Sequence, residues 1–392
     1  MSNMEKDERQ TEGFANPFLK DSGEEISTKE EWEEKRKQYC DFLERTLYGI
    51  RPVYTGTIES EVQNQEFLYE GKAVKETVRL WFFGKENPGM DVEILRPSRK
   101  GKVPVIVWNC SRKMEHCPAE ELLVCERNFA LAVFNREDLA WDNETSGILE
   151  EQYPDADWGR IAQWGWGMSR IMDYLDTTEY ALPDHYIVTG HSRGGKVSLY
   201  EGIYEKRAAM CHSNDSGCGG AGSMEFFGSR YGRGIGRCET LENVSQGMPH
   251  WWGKQVDTFV EQWNTFPLDS HILRALVAPR VLLTTEACGD TWSNPYGTLA
   301  AWRAAQEVFD FLECPENNGI QFRDGGHDFL KEDWEALMDF YDMHFRGGSC
   351  QDTLMYFQSG WKEGEDPFDW RNIKLHYDWS RPAPKLDRDS EK

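Results

Sequence analysis

Residues 190–194 read Gly-His-Ser-Arg-Gly, and no other Gly-x-Ser-x-Gly pattern occurs in the 392-residue chain. A short apolar stretch, 186–189, precedes the pattern, and helical spacing follows it over 196–205. A turn this tight between a strand and a helix accepts only glycine on either side of the serine, whose hydroxyl it lifts to the top of a sheet. The pattern therefore predicts Ser192 as a nucleophile. The alternative is a glycine-flanked serine that only caps a helix.

The predicted helix also gives the pattern an anion-binding group. Backbone N–H groups at the start of a helix lack partners within it, and the helix dipole favours negative charge there. We therefore expect the N–H of Arg193 to stabilise an oxyanion that forms beside Ser192.

Short apolar runs alternate with helical patterns along most of the chain, which is typical of a mostly parallel, doubly wound sheet. The apolar runs are 103–108, 129–134, 185–189, 207–212, 280–285 and 319–322. Helical spacing is found at 30–48, 159–175, 296–311 and 329–345. Earlier stretches alternate apolar and polar residues, at 54–62, 76–83 and 90–95, and predict antiparallel strands. The predicted fold is the three-layer α/β-hydrolase sandwich, with antiparallel N-terminal strands.

Residues 28–347 are assigned to the hydrolase domain, and three segments depart from the alternation of strands and helices: the two ends of the chain and an insertion inside this domain. Residues 1–27 are polar and charged, which predicts a flexible N-terminal arm. The stretch from about 217 to 269 is rich in Gly, Trp and Arg and long for a connection, so we expect it to shape an active site. Residues 348–392 are acidic, contain tryptophans and are predicted to pack as an appendage.

A serine hydroxyl is a weak nucleophile until a histidine takes its proton. His327, in the Gly-Gly-His-Asp sequence of 325–328, lies between the last predicted main strand and the last helix, where this fold places its base. Two aspartates compete to orient that histidine: Asp290 follows the strand at 280–285, and Asp215 follows the preceding strand. Asp290 is favoured because it occupies the usual position of the acid in this fold, in the chain order serine, aspartate, histidine, and Asp215 remains a candidate.

The net charge restricts the partners. Lys and Arg number 44 and Asp and Glu 68, which gives a formal charge of −24. An acidic surface of this size disfavours nucleic acid and anionic membranes, and no apolar run approaches a membrane span. An acidic ligand would need a local basic pocket. The sequence carries no signal for a particular oligomeric state.

The first residues and the cysteines lead to predictions about the cellular location and about metals and cofactors. The first residues have neither the basic nor the apolar segment of a secretory signal. The ten cysteines are scattered and contain no Cys-x-x-Cys pair, which favours reduced thiols in a cytoplasmic protein. Cys110, His116 and Cys117 lie close together but lack zinc spacing, so we expect no metal and no cofactor.

Several motifs in the same order resemble the bacterial branch of the glucuronoyl esterases, carbohydrate esterase family 15. Residues 190–196, Gly-His-Ser-Arg-Gly-Gly-Lys, are similar to the family signature Gly-x-Ser-Arg-x-Gly-Lys. Further similar segments are 213–220, 239–240, 249–251, 271–280, 290–292 and 325–328. The likeness runs from the helix that contains Trp32 to the final helix.

The resemblance implies hydrolysis of esters of 4-O-methyl-glucuronic acid, the side group of glucuronoxylan that is linked to lignin alcohols, through an acyl-enzyme. It implies that the Arg193 side chain helps to stabilise the oxyanion, and that Lys196 and Glu239 bind sugar hydroxyls. Trp292 would form a wall of the sugar pocket. Arg193 and Lys196 also place positive charge beside the nucleophile, as a uronate product requires.

The resemblance leaves the triad acid open, because family members carry it at either of the places of Asp215 and Asp290. Residues 107–112, Val-Trp-Asn-Cys-Ser-Arg, replace a glycine-bearing loop, so no second backbone oxyanion donor is assigned. The insert at 222–237 is long and contains three arginines, Arg230, Arg233 and Arg237. Family members are usually exported, so a cytoplasmic relative would act on small imported uronate esters.

Two other functions are compatible with these residues. A carbohydrate acetyl esterase would use the same triad on a small, uncharged acyl group. A non-catalytic binding protein would keep the fold and use the acidic, tryptophan-containing tail. The intact serine, histidine and aspartate favour an enzyme.

Overall fold

A computed structural model describes residues 14–111, 118–224, 238–256, 268–348 and 356–357. Its strands form one sheet in the order β1-β2-β3-β5-β4-β6-β7-β8-β9-β10. The strands are β1 Glu59–Leu68, β2 Ala73–Trp81, β3 Met90–Pro97, β4 Val103–Cys110, β5 Ala130–Asn135, β6 Ala181–His191, β7 Ala208–Asn214, β8 Val281–Ala287, β9 Asn318–Arg323 and β10 Tyr356–Phe357.

Strand direction divides the sheet into two parts. The pairs β1–β2, β2–β3 and β3–β5 are antiparallel, and the remaining pairs from β5 to β10 are parallel. Strands β4, β8 and β9 are buried along their whole length, as expected of parallel strands covered on both faces. This arrangement confirms the predicted fold class.

Helices cover both faces of the sheet. They are α1 Lys29–Leu43, α2 Pro118–Glu126, α3 Ile148–Gln152, α4 Arg160–Leu175, α5 Arg193–Tyr204, α6 Leu241–Gly247, α7 Ser270–Ala275, α8 Pro295–Phe311 and α9 Lys331–Phe345. Side chains of α1, α4, α5 and α7 form one core with one face, and those of α2 and α9 form a second core with the other. Along β4, Val105 and Val107 belong to the first core and Ile106 and Trp108 to the second, because alternate residues of a strand point to opposite faces.

The first strand and the first helix differ from their predicted bounds. The strand predicted at 54–62 begins at Glu59 and continues to Leu68. Residues 59–67 are all exposed at the edge of the sheet, so no apolar period marks the ends of β1. The helix predicted at 30–48 is α-helical only to Leu43 and ends in the π-helical turn Glu44–Tyr48.

Part of the segment 1–27, which the sequence predicts as a flexible arm, makes specific contacts with the hydrolase domain. Phe14 is fully buried among Ala300, Ala301 and Ala304 of α8. The Ala15 carbonyl accepts a hydrogen bond of 2.9 Å from Nε2 of His271, which is itself buried. A single aromatic ring that fills a gap over alanines anchors the segment, and composition does not reveal such a contact. Residues 1–13 lie outside the described residues.

Two other predicted segments are described only in part. Of 348–392, the structure describes Gly348 and β10, which adds a parallel strand beside β9. Of the insertion at 217–269, it describes 217–224, 238–256 and 268–269, and the arginines of the insert at 222–237 lie outside the described residues. Within the described ranges, no helix combines the length and the apolar character that crossing a membrane requires.

Candidate active site

Ser192 lies between the end of β6 and the start of α5, in the turn that the sequence predicts. Its φ is +58° and its ψ is −125°, a backbone conformation that residues with side chains seldom adopt outside functional sites. A Cβ atom on Gly190 would lie 2.3 Å from the carbonyl oxygen of Gly194. The turn therefore requires a glycine at 190 and leaves Ser192 half-buried at the carboxyl edge of the sheet.

The start of α5 offers backbone donors beside this serine. The N–H groups of Gly195 and Lys196 donate to the Ser192 carbonyl at 2.8 and 3.1 Å and are the first to bond within the helix. The N–H of Arg193 precedes them, among the helix-start groups that have no partner inside the helix. It is available to an oxyanion at Ser192.

His327 lies in the loop between β9 and α9, and its Nδ1 is 2.5 Å from Oδ2 of Asp290. Its ring centroid is 4.4 Å from that of His191, the residue before the serine. A hydrogen bond from Nδ1–H to the carboxylate leaves the Nε2 lone pair free to take a proton. Among the described residues, His327 contacts Asp290 and Ser293 and makes no hydrogen bond to Ser192. Pairs of this kind are often loose until a substrate is bound.

Asp290 is held as a carboxylate although it is mostly buried. Burial would raise the pKa of Asp290, but hydrogen bonds from His327 and Ser293 outweigh it and keep the pKa below its ordinary value. Burial would lower the pKa of His327, and the bond to Asp290 outweighs that effect and raises it above 6.5. The neighbouring His191 is different, because burial and the charge of His327 lower its pKa to about 4.

Asp215, the other candidate acid, forms hydrogen bonds with Ala287 and Arg323. Its Oδ1 accepts a 2.7 Å hydrogen bond from the N–H of Ala287, and its Oδ2 lies 2.9 Å from Nη2 of Arg323. Burial raises the pKa of Asp215, and the Ala287 N–H and the Arg323 guanidinium oppose this rise because they stabilise the carboxylate. Ligand atoms of Asp215, Asp290 and His327 lie within 4.8 Å of one another, but the Arg323 guanidinium already supplies a cation to Asp215.

Ser293 is a site residue that the sequence reasoning missed. Its hydroxyl is buried, donates to Oδ2 of Asp290 and lies 3.5 Å from Nδ1 of His327. The carboxylate oxygen that faces the histidine thus has a second donor, which fixes its direction. A serine three residues after a loop aspartate is the local signal that points to this contact.

The side chain of Arg193 is held by a second set of side chains. Its Nη1 pairs with Oδ2 of Asp142, and its guanidinium lies 4.9 Å from the ring centroid of Trp251. Oδ1 of Asp142 accepts hydrogen bonds of 2.8 Å from Nε1 of Trp251 and 3.0 Å from Nε2 of His250. Burial opposes ionisation of Asp142, but the bonds from His250 and Trp251 hold its pKa well below the ordinary value. No motif in the sequence points to Asp142.

Lys196, Glu239 and Trp292 lie together beside α5. Nζ of Lys196 donates to Oε2 of Glu239 at 2.7 Å and to the Ser216 carbonyl at 2.5 Å, and both charged side chains are buried. The Trp292 carbonyl accepts from the N–H of Glu239 at 2.8 Å, and 43% of Trp292 is exposed. A lysine has three N–H donors, so one remains for a ligand after these two bonds.

Asn109, in the segment that departs from the family pattern, stabilises the turn that carries Ser192. It is buried in β4, and its Nδ2 donates to the carbonyls of Thr189 and Gly194, both at 3.1 Å. These acceptors lie on the two sides of Ser192, so the amide links the strand to the helix. Residues 112–117, where a second oxyanion donor would be expected, lie outside the described residues.

Comparisons with known proteins agree on one family. A sequence model described as fungal glucuronyl esterase matches residues 84–313, more than half of the chain. A carbohydrate esterase from an unknown prokaryotic organism is 28% identical over 85% of this chain and 90% of its own length. A 4-O-methyl-glucuronoyl methylesterase from Schizophyllum commune is 27% identical, covering 93% of this chain and 87% of the relative.

Solved structures extend this agreement to the fold. A carbohydrate esterase family 15 glucuronoyl esterase from Caldicellulosiruptor kristjansonii has a TM-score of 0.76 and 25% identity, covering 96% of this chain and 100% of that chain. An esterase of the same family from a marine bacterial metagenome, described as promiscuous, has a TM-score of 0.73 and 25% identity, covering 85% and 97%. The resemblance seen in the sequence is confirmed. The chain belongs to the glucuronoyl esterase family and is a carboxylic ester hydrolase.

Proposed function

We propose that this protein hydrolyses esters of glucuronic acid, with or without a 4-O-methyl group, through an acyl-enzyme formed on Ser192. The observation that carries the proposal is the contact between His327 and Asp290 beside the strained turn of Ser192. Relatives that this chain matches over most of their length are named 4-O-methyl-glucuronoyl methylesterases, which supports the acyl group.

Acylation follows from the positions of the donors and acceptors. Nε2 of His327 takes the proton of the Ser192 hydroxyl as Oγ attacks the ester carbonyl carbon. The carbonyl oxygen becomes an oxyanion, which the N–H of Arg193 and its guanidinium stabilise. When the C–O bond to the alcohol breaks, His327 gives its proton to the leaving oxygen and Ser192 carries the uronoyl group.

In deacylation, the same groups activate a water molecule. His327 takes a proton from the water that attacks the acyl carbon, and it returns that proton to Oγ of Ser192 when the acid leaves. Asp290 stabilises the imidazolium in both steps because its carboxylate accepts the Nδ1 proton. The uronate product carries a negative charge next to Arg193, which offsets the repulsion expected from a protein of charge −24.

We assign recognition of the sugar to Lys196, Glu239 and Trp292. Lys196 lies one helical turn after Ser192, on the same side of the helix. Its remaining N–H suits a sugar hydroxyl, and the Glu239 carboxylate is a matching acceptor. Trp292 offers an exposed ring for the face of a pyranose.

A comparison of two esters separates the candidate functions. Wild type and Ser192→Ala are assayed with benzyl glucuronate and with 4-nitrophenyl acetate. We expect kcat/KM of the wild type to favour the glucuronate ester, and the activity on it to depend on Ser192. A preference for acetate would replace the proposal with a carbohydrate acetyl esterase. Absence of Ser192-dependent turnover of both esters would favour a binding protein on a hydrolase fold.

Lys196→Ala is expected to lower kcat/KM for benzyl glucuronate about 10- to 100-fold, the equivalent of one hydrogen bond from a charged group. Hydrolysis of 4-nitrophenyl acetate should change much less, because acetate has no sugar hydroxyls. Since the single change leaves Glu239 buried without its cation, the double variant Lys196→Met/Glu239→Gln serves as a control for folding. Equal losses on both esters would contradict the assignment of Lys196 to sugar binding.

The acid side of the pH profile of kcat/KM should reflect the raised pKa of His327. A general base works only when it is neutral, so kcat/KM should rise with pH through the pKa of His327 in the free enzyme. Because Asp290 raises that pKa, the midpoint is expected above pH 6.5. Benzyl glucuronate suits the measurement because the ester has no titrating carboxyl. A midpoint below 6.5 would show that burial, and not Asp290, governs the base.

A further inference from the structure

Arg323, the last residue of β9, is buried under the loop that carries His327. An arginine has five N–H donors in a planar fork. Here each donor has an acceptor: Nε bonds Oδ2 of Asp333 at 2.8 Å, Nη2 bonds Oδ2 of Asp215 at 2.9 Å and the Asp328 carbonyl, and Nη1 bonds the carbonyls of Asp324 and Gly326 at 3.2 Å each. All five N–H donors of the guanidinium group are therefore engaged, and none of these hydrogen bonds involves Ser192.

Three of these acceptors are backbone carbonyls of the loop 324–328, on both sides of His327. The residues of this loop are exposed to solvent, so packing of their side chains does not fix its path. Gly325 has a φ of +103°, which lets the backbone bend around the guanidinium. The path of the loop, and with it the direction of the His327 ring, therefore depends on the arginine below.

The two carboxylates connect this arginine to neighbouring elements. Asp333 also accepts a 2.8 Å hydrogen bond from the N–H of Leu330, which fixes the start of α9 after the loop. Asp215 joins the end of β7 to β8 through its bond from Ala287. One buried cation thus ties the base loop to β7, β8 and α9.

A backbone contact joins the base loop to the loop of the triad acid. The N–H of Gly289, one residue before Asp290, donates to the Gly325 carbonyl at 3.0 Å. The N–H of Cys288 donates to the Arg323 carbonyl at 2.8 Å. A shift of 324–328 would therefore change the distance between His327 and Asp290.

We propose that Arg323 is a positioning residue for the hydrolysis: it shapes the loop 324–328 so that Nδ1 of His327 meets Asp290, and it engages Asp215 so that Asp290 alone serves the base. The inference rests on the proposed function of His327. A lysine cannot replace this arginine, because its three donors on a single nitrogen cannot reach acceptors spread around a planar fork.

The test compares Arg323→Lys, which keeps the charge, with Arg346→Lys as a matched control. Arg346 also donates to backbone carbonyls, those of Arg127 and Asn128, but lies at the far end of α9. Two quantities are measured: kcat and KM with benzyl glucuronate, and the low-field proton resonance expected for the short Nδ1–H hydrogen bond of His327. Thermal unfolding shows that each variant is folded at the temperature used.

We expect Arg323→Lys to lower kcat about 100-fold, the effect of a small displacement of a catalytic group, with KM nearly unchanged. The low-field resonance should disappear, and Arg346→Lys should keep both the resonance and the activity. Arg323→Gln, which removes the charge and most donors, is the second variant should Arg323→Lys fail to fold, and the same losses are expected.

A folded Arg323 variant that keeps the resonance and kcat would overturn the proposal, as would a loss confined to thermal stability or to KM. The resonance is recorded without substrate. Its loss in the variant would therefore support the positioning role even if the wild type did not hydrolyse uronate esters, so the two proposals can fail separately.

Discussion

Ser192→Ala is expected to lower kcat for benzyl glucuronate by about 10⁶-fold, the effect of removing the nucleophile from a serine hydrolase. Alanine has no oxygen to form the acyl-enzyme, and only binding and the oxyanion donors remain. Among the described residues, no hydrogen bond of the Ser192 hydroxyl supports the fold, so the melting temperature should change little. The measurement is kcat at saturating substrate, together with thermal unfolding of the same samples.

Ser198→Ala is the matched control for this prediction. Ser198 lies on the same helix, and its hydroxyl oxygen lies 3.0 and 2.8 Å from the carbonyl oxygens of Gly195 and His212, which share its single O–H donor. The variant loses hydrogen bonds inside the protein but no reacting atom, so it should lose stability and keep most of its activity. If Ser192→Ala retained activity similar to that of Ser198→Ala, Ser192 would not be the nucleophile.

The second large effect separates the two aspartates. Asp290→Asn is expected to lower kcat about 10⁴-fold, because an amide in place of the carboxylate favours the wrong tautomer of His327 and cannot stabilise its imidazolium. Asp215→Asn should lower kcat far less. It breaks the buried pair with Arg323, so its main effect should be a loss of about 3–5 kcal/mol in the free energy of unfolding.

Both variants are measured in the same way, by kcat with benzyl glucuronate and by urea unfolding. A large loss of kcat in Asp215→Asn with a mild effect of Asp290→Asn would assign the triad acid to Asp215 instead. Equal losses in kcat would show that the two carboxylates act as one unit on His327.

The turn that carries Ser192 could be predicted from the sequence because all the residues that define it are close together in the chain. A glycine on each side of Ser192, a strand before it and a helix after it are all visible within 20 residues. The parallel sheet was predictable for a related reason, since runs such as 103–108 are apolar at every position. The place of His327 followed from these elements, because the loops after parallel strands gather at one edge of the sheet.

The sequence favours Asp290 over Asp215 but does not decide between them. Each follows a strand, and the two strands are neighbours in the sheet. The difference comes from Arg323, which lies on the next strand and pairs with Asp215. Only the three-dimensional arrangement shows which carboxylate faces the histidine.

Asp142 and Asn109 were missed for the same physical reason. Asp142 is 51 residues from the arginine that it binds, and Asn109 is 85 residues from the carbonyl of Gly194 that it braces. Neither residue belongs to a motif with a fixed spacing. The burial of Phe14 is similar, because it depends on small residues of α8 that are distant in the chain.

The acyl-enzyme is the central claim, and peptide mass spectrometry of protein quenched during turnover tests it directly. The wild type is mixed with excess benzyl glucuronate, quenched in acid within the first turnovers and digested. We predict a mass increase of one glucuronoyl group on the peptide that contains Ser192, and no such increase in Ser192→Ala. Rapid hydrolysis of the ester with no adduct on that peptide, or with the adduct on another residue, would contradict the account.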